Sequence, residues 1–273
     1  MQRYEPSRYW SELFANGVDA RTVGYADLPL SFNRLGHEAG RRAVRRAMQK
    51  TRAEPRGARI LDVGSGGGLW VDFWRSLGAA EVVALDLTTE ATQRLRAHVP
   101  GMRVEQADIS VELPADLGEF DLVSAMNVLL HVTSNEKFDR AIANLARTLA
   151  PRGRIVFVDP IVVHGWFGPP LGDSATSHIR SLAEWRETLN RHDLRIVDVS
   201  ATTCLLASAV DTRSRTTLQL LWFYWNAVSK LVRGHERLAL GVGRALAALD
   251  ALSLRLVQTG PSGKVLVAER RHP

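Results

Sequence analysis

A glycine-rich turn directly after a short apolar run is the feature that most constrains this 273-residue sequence. The apolar run, Ile60–Val63, leads into the sequence Gly-Ser-Gly-Gly-Gly at 64–68, and a helical pattern begins near Leu69. Glycine has no Cβ, so the backbone of such a turn can approach a ligand closely. The start of the following helix offers unpaired N–H groups to a carboxylate or phosphate. This strand–turn–helix unit therefore predicts a ligand site.

Strand and helix patterns alternate from about residue 59 to residue 155, as a parallel α/β sheet requires. Strands are predicted at 59–63, 81–86, 102–107, 120–126 and 154–159, and helices at 69–77, 90–98 and 135–149. A further helix at 182–191 and strands at 194–200 and 263–269 follow. Pro151-Arg152-Gly153 is predicted to stop the third of these helices and turn the chain into the fifth strand.

Three segments fall outside this alternation and suggest the domain organisation. Residues 1–57 form a helical cap whose clearer helix is Leu30–Arg52, and residues 160–180 form a loop. Residues 205–258 form a helical insertion that hangs over the site as a lid, provided that the strand before it is parallel to the others. The core then comprises residues 58–204 and 259–273.

Acidic residues end the next two strands after the glycine-rich turn. Asp86 ends the second strand, where a carboxylate can accept hydrogen bonds from ribose hydroxyls. The alternative for Asp86 is a helix N-cap, but Thr88 or Thr89 can supply that cap. Asp108 follows the third strand and is either a ligand-binding residue or a solvated turn aspartate.

The turn, the two aspartates and the strand Phe120–Met126 together resemble class I S-adenosylmethionine (SAM) dependent methyltransferases, over about residues 55–160. The similarity is to the ubiquinone-biosynthesis and small-molecule members. It implies an α/β Rossmann-like seven-stranded sheet with the last strand antiparallel, helices on both faces, and SAM as the cofactor. It also implies that Asp62 faces the methionine amino group and that Asp108 meets the adenine. The residues expected to contact the cofactor are Asp62, Gly64, Ser65, Gly66, Gly68, Asp86, Leu87, Asp108, Ile109, Met126 and Asn127.

A histidine after the fourth strand is the main candidate for catalysis. His131 lies where the strand ends open onto a bound ligand. It is either a general base for a hydroxyl acceptor or a structural histidine that packs against the cofactor. His164, His178 and Asp159 are weaker candidates, and no metal site is expected. Tyr9, Trp10 and Asn33 are expected to cap the cofactor.

Composition narrows the function classes. The net charge of +6 comes with an arginine cluster at helical spacing within residues 41–52, which is either a solvated helix face or a surface for a polyanion. Cys204 is the single cysteine, so no intrachain disulfide can form and a reducing cytoplasm fits. No transmembrane segment is expected, because the most apolar run, Leu218–Val228, is too short to span a bilayer. That aromatic run predicts a buried helix, a second subunit packed on it, or the wall of an acceptor pocket.

The leading interpretation is a methyltransferase that acts on a small, partly apolar acceptor of the natural-product type, at a hydroxyl oxygen. Carbon methylation of a lipid-like, quinone or polyketide acceptor and SAM binding without catalysis are the alternatives. Nucleic acid is a less favoured partner, and a homodimer through the helical insertion is a further possibility. A short-chain dehydrogenase is excluded because none of the four tyrosines has a lysine four residues later.

Overall fold

The computed structural model describes residues 4–15, 17–111, 113–165 and 176–271, so part of the predicted loop at 160–180 lies outside the described residues. The strands are β1 (Arg59–Val63), β2 (Glu81–Asp86), β3 (Val104–Gln106), β4 (Phe120–Met126), β5 (Leu149–Asp159), β6 (Leu194–Ala201) and β7 (Lys264–Arg270). They form one sheet in the order β3-β2-β1-β4-β5-β7-β6.

The helices are α1 (Pro6–Phe14), α2 (Leu30–Thr51), α3 (Leu69–Ser76), α4 (Thr89–His98), α5 (Asn135–Thr148), α6 (Leu182–Arg191), α7 (Arg215–Val232) and α8 (Glu236–Leu256). Helices α4 to α7 each follow a Ser or Thr whose side chain accepts a hydrogen bond from a backbone N–H of the first turn: Thr88, Ser134, Ser181 and Ser214. These hydroxyls fix the helix starts, because they satisfy N–H groups that have no partner within the helix.

The strand directions confirm the predicted fold class. Strands β1 to β5 run parallel, while β7 is antiparallel to both β5 and β6. Strand β6 is therefore parallel to β1–β5, and its carboxyl end lies at the same edge of the sheet as theirs. The fold is an α/β Rossmann-like sheet of seven strands with the last strand antiparallel.

The prediction that Pro151–Gly153 stops the helix before the fifth strand is wrong. Helix α5 already ends at Thr148, and β5 begins at Leu149, which pairs with Phe120 of β4. The register shifts between Phe120 and Leu122, so the extra residues of β5, including Pro151, are absorbed as an irregularity within the strand. The helix therefore ends where the pairing of β5 with β4 begins, two residues before the proline.

Helices cover both faces of the sheet. One buried cluster joins α5 and α6 to the sheet through Phe138, Leu145 and Trp185. A second cluster joins α2, α3 and α4 to the opposite face through Val44, Trp74 and Leu95. A third cluster, which includes Phe32, Trp225, Val228, Ala239 and Leu246, packs α7 and α8 against α2. Helices α7 and α8 of the insertion therefore rest on α2 rather than on the sheet itself.

The arginine cluster of α2 is used partly for packing. The guanidinium groups of Arg41 and Arg45 lie over the ring of Phe73, at 5.8 and 5.3 Å from its centroid. Lys50 forms an ion pair with the buried carboxylate of Asp198 in β6. These contacts make part of the basic face an attachment to the core, as expected for long side chains with apolar stems.

A buried ion pair ties the insertion to the sheet. Lys264, the first residue of β7, donates to Asp211 Oδ1 at 2.9 Å, and both side chains are fully buried. Asp211 Oδ2 accepts hydrogen bonds from the backbone N–H groups of Val163 and His164, each at 2.7 Å. The pair thus joins β7, the segment before α7 and the segment after β5.

We expect Lys264→Met to lower the free energy of unfolding by about 3–5 kcal/mol, because the substitution leaves the Asp211 carboxylate buried without a counter-charge. Urea unfolding followed by circular dichroism measures this change. Lys230→Met, at an exposed lysine on α7, is the matched control and should change the midpoint little. Equal midpoints for the two variants would contradict the assigned role of the pair.

Candidate functional site

A cavity of about 710 Å³ opens at the edge of the sheet where β1, β2 and β4 end. This is the edge at which open parallel sheets bind ligands. Of the eleven residues predicted to contact a cofactor, nine line this cavity: Gly64, Ser65, Gly66, Asp86, Leu87, Asp108, Ile109, Met126 and Asn127. Asp62 and Gly68 are not among the lining residues. The cavity also contains His131.

The turn after β1 has a backbone that requires glycine. Gly64, Gly66 and Gly68 have φ angles of 66°, 50° and 87°, in the region that residues with a Cβ rarely adopt. A Cβ on Gly64 would also overlap the side chain of Val128. The N–H groups of Gly64 and Ser65 both donate to the carbonyl of Leu85. The turn is therefore held against the end of β2.

Asp86 connects β2 to the glycine turn. Its Oδ2 accepts a hydrogen bond from Gly66 N–H at 2.8 Å, and its Oδ1 accepts from the N–H and the hydroxyl of Thr88 at 3.0 and 2.9 Å. Thr88 caps α4 and is one of the two threonines that the sequence analysis named for this cap. Burial raises the pKa of Asp86. A carboxylate offers about four acceptor positions, so Asp86 retains capacity for a ligand in the cavity.

Asp108 follows β3 on the neighbouring side of the cavity. Its Oδ1 accepts hydrogen bonds from both the N–H and the hydroxyl of Ser110, at 2.8 and 2.7 Å. Both donors use the same oxygen, so Oδ2 retains its acceptor capacity. The carboxylate is oriented by its own turn and stays available to a donor such as an amino group.

Asp62 lies beneath the turn rather than in the cavity. Its Oδ1 accepts hydrogen bonds from Ser124 Oγ at 2.5 Å and Trp74 Nε1 at 3.3 Å. Burial raises the pKa of Asp62 to about 6. These contacts hold β1 to β4 and α3, so the role of this carboxylate in the structure is to position the turn. The contact with a methionine amino group that the resemblance implies stays a prediction.

His131 ends a short 3-10 turn, Leu129–His131, that follows β4. Its Nδ1 lies 2.8 Å from the carbonyl oxygen of Thr176, which requires a hydrogen on Nδ1 and leaves a lone pair on Nε2. Burial lowers the pKa of His131, so the ring is neutral at pH 7. Trp10 packs against the ring edge to face, with 4.8 Å between centroids. The histidine has the tautomer and charge state of a base.

Two buried ionisable side chains, Asp159 and Arg180, hold the His131 turn in place. Asp159 Oδ1 accepts from Leu130 N–H at 3.3 Å, and Arg180 donates to Val132 O at 2.8 Å. The Arg180 guanidinium also lies over the ring of Phe138, 3.9 Å from its centroid. Burial raises the pKa of Asp159 to about 8. Neither residue lines the cavity, and sequence analysis did not identify Arg180.

The two weaker histidine candidates are engaged elsewhere. His164 Nε2 lies 2.7 Å from Thr259 Oγ1, and His178 Nδ1 lies 3.2 Å from the carbonyl of Thr133. Neither histidine lines the cavity. Within residues 4–15, 17–111, 113–165 and 176–271, no three His, Cys, Asp or Glu side chains are grouped to hold a metal ion.

The N-terminal helix covers the cavity. Tyr9, Trp10, Leu13 and Phe14 of α1 contribute to its lining. Ser11 Oγ donates to the carboxylate of Glu90 at 2.7 Å, which ties α1 to α4. Tyr9 and Trp10 thus occupy the side of the cavity where the sequence analysis expected a cap.

A second cavity of about 420 Å³ adjoins the first. The two share Asn127 and His131 as lining residues, together with Val23, Gly24, His37 and Trp70. Apolar side chains dominate the rest of its wall, among them Phe32, Leu130, Leu206 and Val210. The chain at 202–210, ahead of α7, contributes to this wall. No residue of α7 or α8 lines either cavity.

Helix α2 contributes a histidine that sequence analysis missed. His37 lines both cavities, and its Nε2 lies 3.1 Å from the carbonyl of Ala20. Burial lowers the pKa of His37. Asn33, Gly36, His37 and Gly40 all line the second cavity. Their helical spacing, with small or polar residues on an otherwise apolar face, was the signal available in the sequence.

The strand order, the glycine turn after β1 and the acidic residue that ends β2 are those of class I SAM-dependent methyltransferase domains. Residues 60–153 match the model of the methyltransferase domain family. The predicted resemblance to class I SAM-dependent methyltransferases and the predicted cofactor, SAM, are confirmed.

Curated relatives match the same region. A ubiquinone biosynthesis O-methyltransferase from Xanthomonas axonopodis pv. citri is 41% identical over 116 residues, which cover 41% of this chain and 47% of the relative. One from Alkalilimnicola ehrlichii is 40% identical over 105 residues, which cover 37% of this chain and 41% of that protein. The chain therefore spans about half the length of the curated relatives it matches.

Solved structures show that the same fold extends beyond the matched region. A putative sarcosine dimethylglycine methyltransferase from Galdieria sulphuraria aligns with a TM-score of 0.55 at 18% identity and covers 85% of each chain. Magnesium protoporphyrin IX methyltransferase from Synechocystis PCC 6803 with bound SAM aligns with a TM-score of 0.52 at 15% identity, covering 96% of this chain and 90% of the other. At these identities the similarity concerns the fold.

Proposed function

We propose that this chain is a SAM-dependent O-methyltransferase that acts on a small, partly apolar acceptor. The observation that carries the proposal is the junction of two cavities at Asn127 and His131. One cavity carries the glycine turn with its acidic residues, and the other has a mainly apolar wall. A donor in the first cavity and an acceptor in the second would meet at a neutral histidine. The relatives named as O-methyltransferases of ubiquinone biosynthesis support transfer to oxygen.

The first cavity fits an adenosyl sulfonium. At Gly64 there is no room for a Cβ, so the turn keeps its backbone close to the cavity. The carboxylates of Asp86 and Asp108 retain acceptor positions for ribose hydroxyls and an amino group. The volume is within the range of small-molecule sites. When bound there, SAM supplies a methyl group on an activated carbon. The protein then orients the acceptor, holds its proton and excludes water.

His131 is the proposed general base. Its Nε2 keeps the lone pair because Nδ1 donates to Thr176 O, and a neutral imidazole can accept the proton of an acceptor hydroxyl. Most of the remaining acceleration in a methyl transfer comes from alignment of the reacting groups, with reacting atoms about 3–3.5 Å apart. Asp159 and Arg180 contribute to that alignment, because their hydrogen bonds to Leu130 and Val132 fix the backbone on either side of His131.

The domain organisation supports the same division of labour. Within residues 1–57, α1 covers the first cavity and α2 packs on the sheet, while residues 58–204 with 259–273 are proposed to supply the sheet and the ligand turns. Within the insertion at 205–258, the segment before α7 forms part of the acceptor wall, whereas α7 and α8 pack on α2. The sequence analysis predicted residues 205–258 as the lid, but α7 and α8 line neither cavity. We therefore assign the covering of the two cavities to α1 and to residues 202–210.

Two alternative functions keep SAM as the ligand. The first is methylation of carbon, because the apolar wall of the second cavity also suits a lipid-like or quinone acceptor; a carbon nucleophile would still need a base. The second alternative is SAM binding without methyl transfer. A natural-product acceptor and a cytoplasmic location remain predictions, as does exclusion of nucleic acid. Homodimerisation through the insertion also remains a prediction, and light scattering tests it.

Calorimetry with SAM and with its demethylated product tests the donor half of the proposal. We expect both compounds to bind with 1:1 stoichiometry. Transfer of a labelled methyl group is then measured over panels of phenols, alcohols and quinone-type compounds, with chemical identification of the methylated atom. Methylated oxygen supports the proposal. Methylated carbon, or binding with no transfer to any panel, would favour one of the alternative readings instead.

A further inference from the structure

Helices α7 and α8 expose a concentration of large apolar side chains. Leu220, Phe223 and Leu231 are exposed on α7, Phe223 by 76%. On α8, Leu238, Leu249, Leu252 and Leu256 are exposed, Leu256 by 84%. Most of the large exposed apolar side chains among the described residues lie on this helix pair. Isolated exposed leucines are ordinary, but a concentration of them marks an interaction surface.

The exposed apolar residues follow the helical period. On α7 they recur at 220, 223 and 231, with Ala227 between them also exposed, while Trp225, Val228 and Val232 face the opposite way into the cluster on α2. On α8, Ala239 and Leu246 enter that same cluster. Since both helices bury their inner sides in one cluster, their opposite sides face away from it together. We call this pair of exposed sides the outer face.

The charges of the two helices are sorted by sign. The two acidic residues of the helix pair both lie on α8 and are both engaged by other segments: the exposed Glu236 accepts hydrogen bonds from the N–H groups of Leu30 and Ser31, and the buried Asp250 accepts from those of Cys204 and Leu205. The basic residues of the segment are exposed at 213, 215, 230, 233, 237, 244 and 255. Among the described residues, Arg233 pairs with Asp27, while no ion pair forms at the other six. Seven basic side chains and one acidic side chain, Glu236, are exposed on this segment, so its net exposed charge is positive.

From these observations we infer that the outer face binds the surface of an anionic membrane. Apolar side chains flanked by Lys and Arg are the composition of helices that lie in a lipid interface, where the apolar side enters the acyl boundary and the cations meet anionic headgroups. None of the described helices is long and apolar enough to cross a bilayer. The mode of binding is therefore along the surface.

Charge complementarity selects this occupant over two others. A second copy docked face to face would bring two sets of unpaired arginines together, and like charges oppose such a contact. A nucleic acid would satisfy the arginines but would leave Phe223 and the leucines in contact with phosphates and water. An anionic membrane satisfies both the cations and the apolar side chains.

Sedimentation with sucrose-loaded vesicles tests the inference, with phosphatidylcholine alone compared with phosphatidylcholine containing phosphatidylglycerol. We expect binding to the anionic vesicles. Phe223→Ser with Leu231→Ser should lower the partition coefficient at least about tenfold, because apolar burial contributes to interfacial binding. Arg244→Gln with Arg255→Gln should lower it by about fivefold per arginine. Val111→Ser and Arg186→Gln, at exposed positions elsewhere, are the matched controls.

Circular dichroism and thermal unfolding confirm that each variant is folded, which is expected because the substituted side chains are exposed. Binding that responds to the outer-face substitutions and not to the controls supports the inference. Absence of binding to anionic vesicles, or equal losses in the control variants, would overturn it. A lipid-free dimer that the Phe223→Ser and Leu231→Ser substitutions dissociate would also overturn it, in favour of a second copy. These readouts use no SAM and are independent of the proposed enzymatic function.

Discussion

Replacing Asp86 by alanine is expected to lower the affinity for SAM by about 100-fold or more. The carboxylate is proposed to accept ribose hydroxyls, and it also holds Gly66 N–H of the turn at 2.8 Å. Hydrogen bonds to a charged group contribute about 1.5–3 kcal/mol each, so losing the ligand contact and loosening the turn together give a change of this size. Isothermal titration calorimetry with SAM and its demethylated product measures it.

Asp116→Ala is the matched control for Asp86→Ala, because Asp116 is exposed and its carboxylate pairs with Arg103 at the surface. The control should bind SAM with the affinity of the unmodified protein. Asp86→Asn separates the two roles of the side chain, since the amide keeps an acceptor oxygen but loses the charge. Unchanged SAM affinity in a folded Asp86→Ala variant would remove the proposed cofactor site.

Replacing His131 by glutamine should lower kcat by about 100-fold to 10,000-fold, the contribution typical of a general base. The effect on SAM affinity should be much smaller. Glutamine can donate to Thr176 O as Nδ1 of the histidine does, but it cannot accept a proton from the acceptor. Single-turnover measurements of methyl transfer at saturating SAM isolate the chemical step.

The pH profile adds a readout that a structural role would not produce. The base form of His131 is the deprotonated one, which predominates above its pKa, and burial places that pKa below the ordinary value of 6.5. Turnover should therefore hold constant around neutral pH and fall only in more acidic solution, and this acid limb should disappear in His131→Gln. His164→Gln, at a histidine outside both cavities, is the control. Near-normal turnover in His131→Gln would show that His131 is structural.

The sheet could be predicted from the sequence because its strands are short, apolar and separated by recognisable helix patterns. The bounds predicted for β1, β2, β4 and α6 are those of the structure. Strand β3 is shorter than predicted, because only Val104–Gln106 pair with β2. The misplaced end of α5 has a similar origin, since the pairing of Leu149 with Phe120 is a long-range contact that local signals do not reveal.

The part of the site that could be predicted consists of residues at or just after the carboxyl ends of individual strands. The glycine turn and Asp108 each follow a strand and Asp86 ends one, and parallel strand ends meet at one edge of a sheet. His37 and the residues at 202–210 reach the second cavity from a helix and a loop outside that pattern. Their positions depend on how α2 packs against the insertion. That packing is tertiary, and no local spacing encodes it.

The Lys264–Asp211 pair has a consequence for how the molecule comes apart. Lys264 at the start of β7 and Asp211 ahead of α7 form an ion pair in the interior. Detaching the segment that carries Asp211 would leave a buried ammonium and a buried carboxylate without partners. Partial opening at this point therefore costs about 3–5 kcal/mol. The segment before α7, which forms part of the second cavity, and the sheet are therefore expected to unfold together, in a single transition.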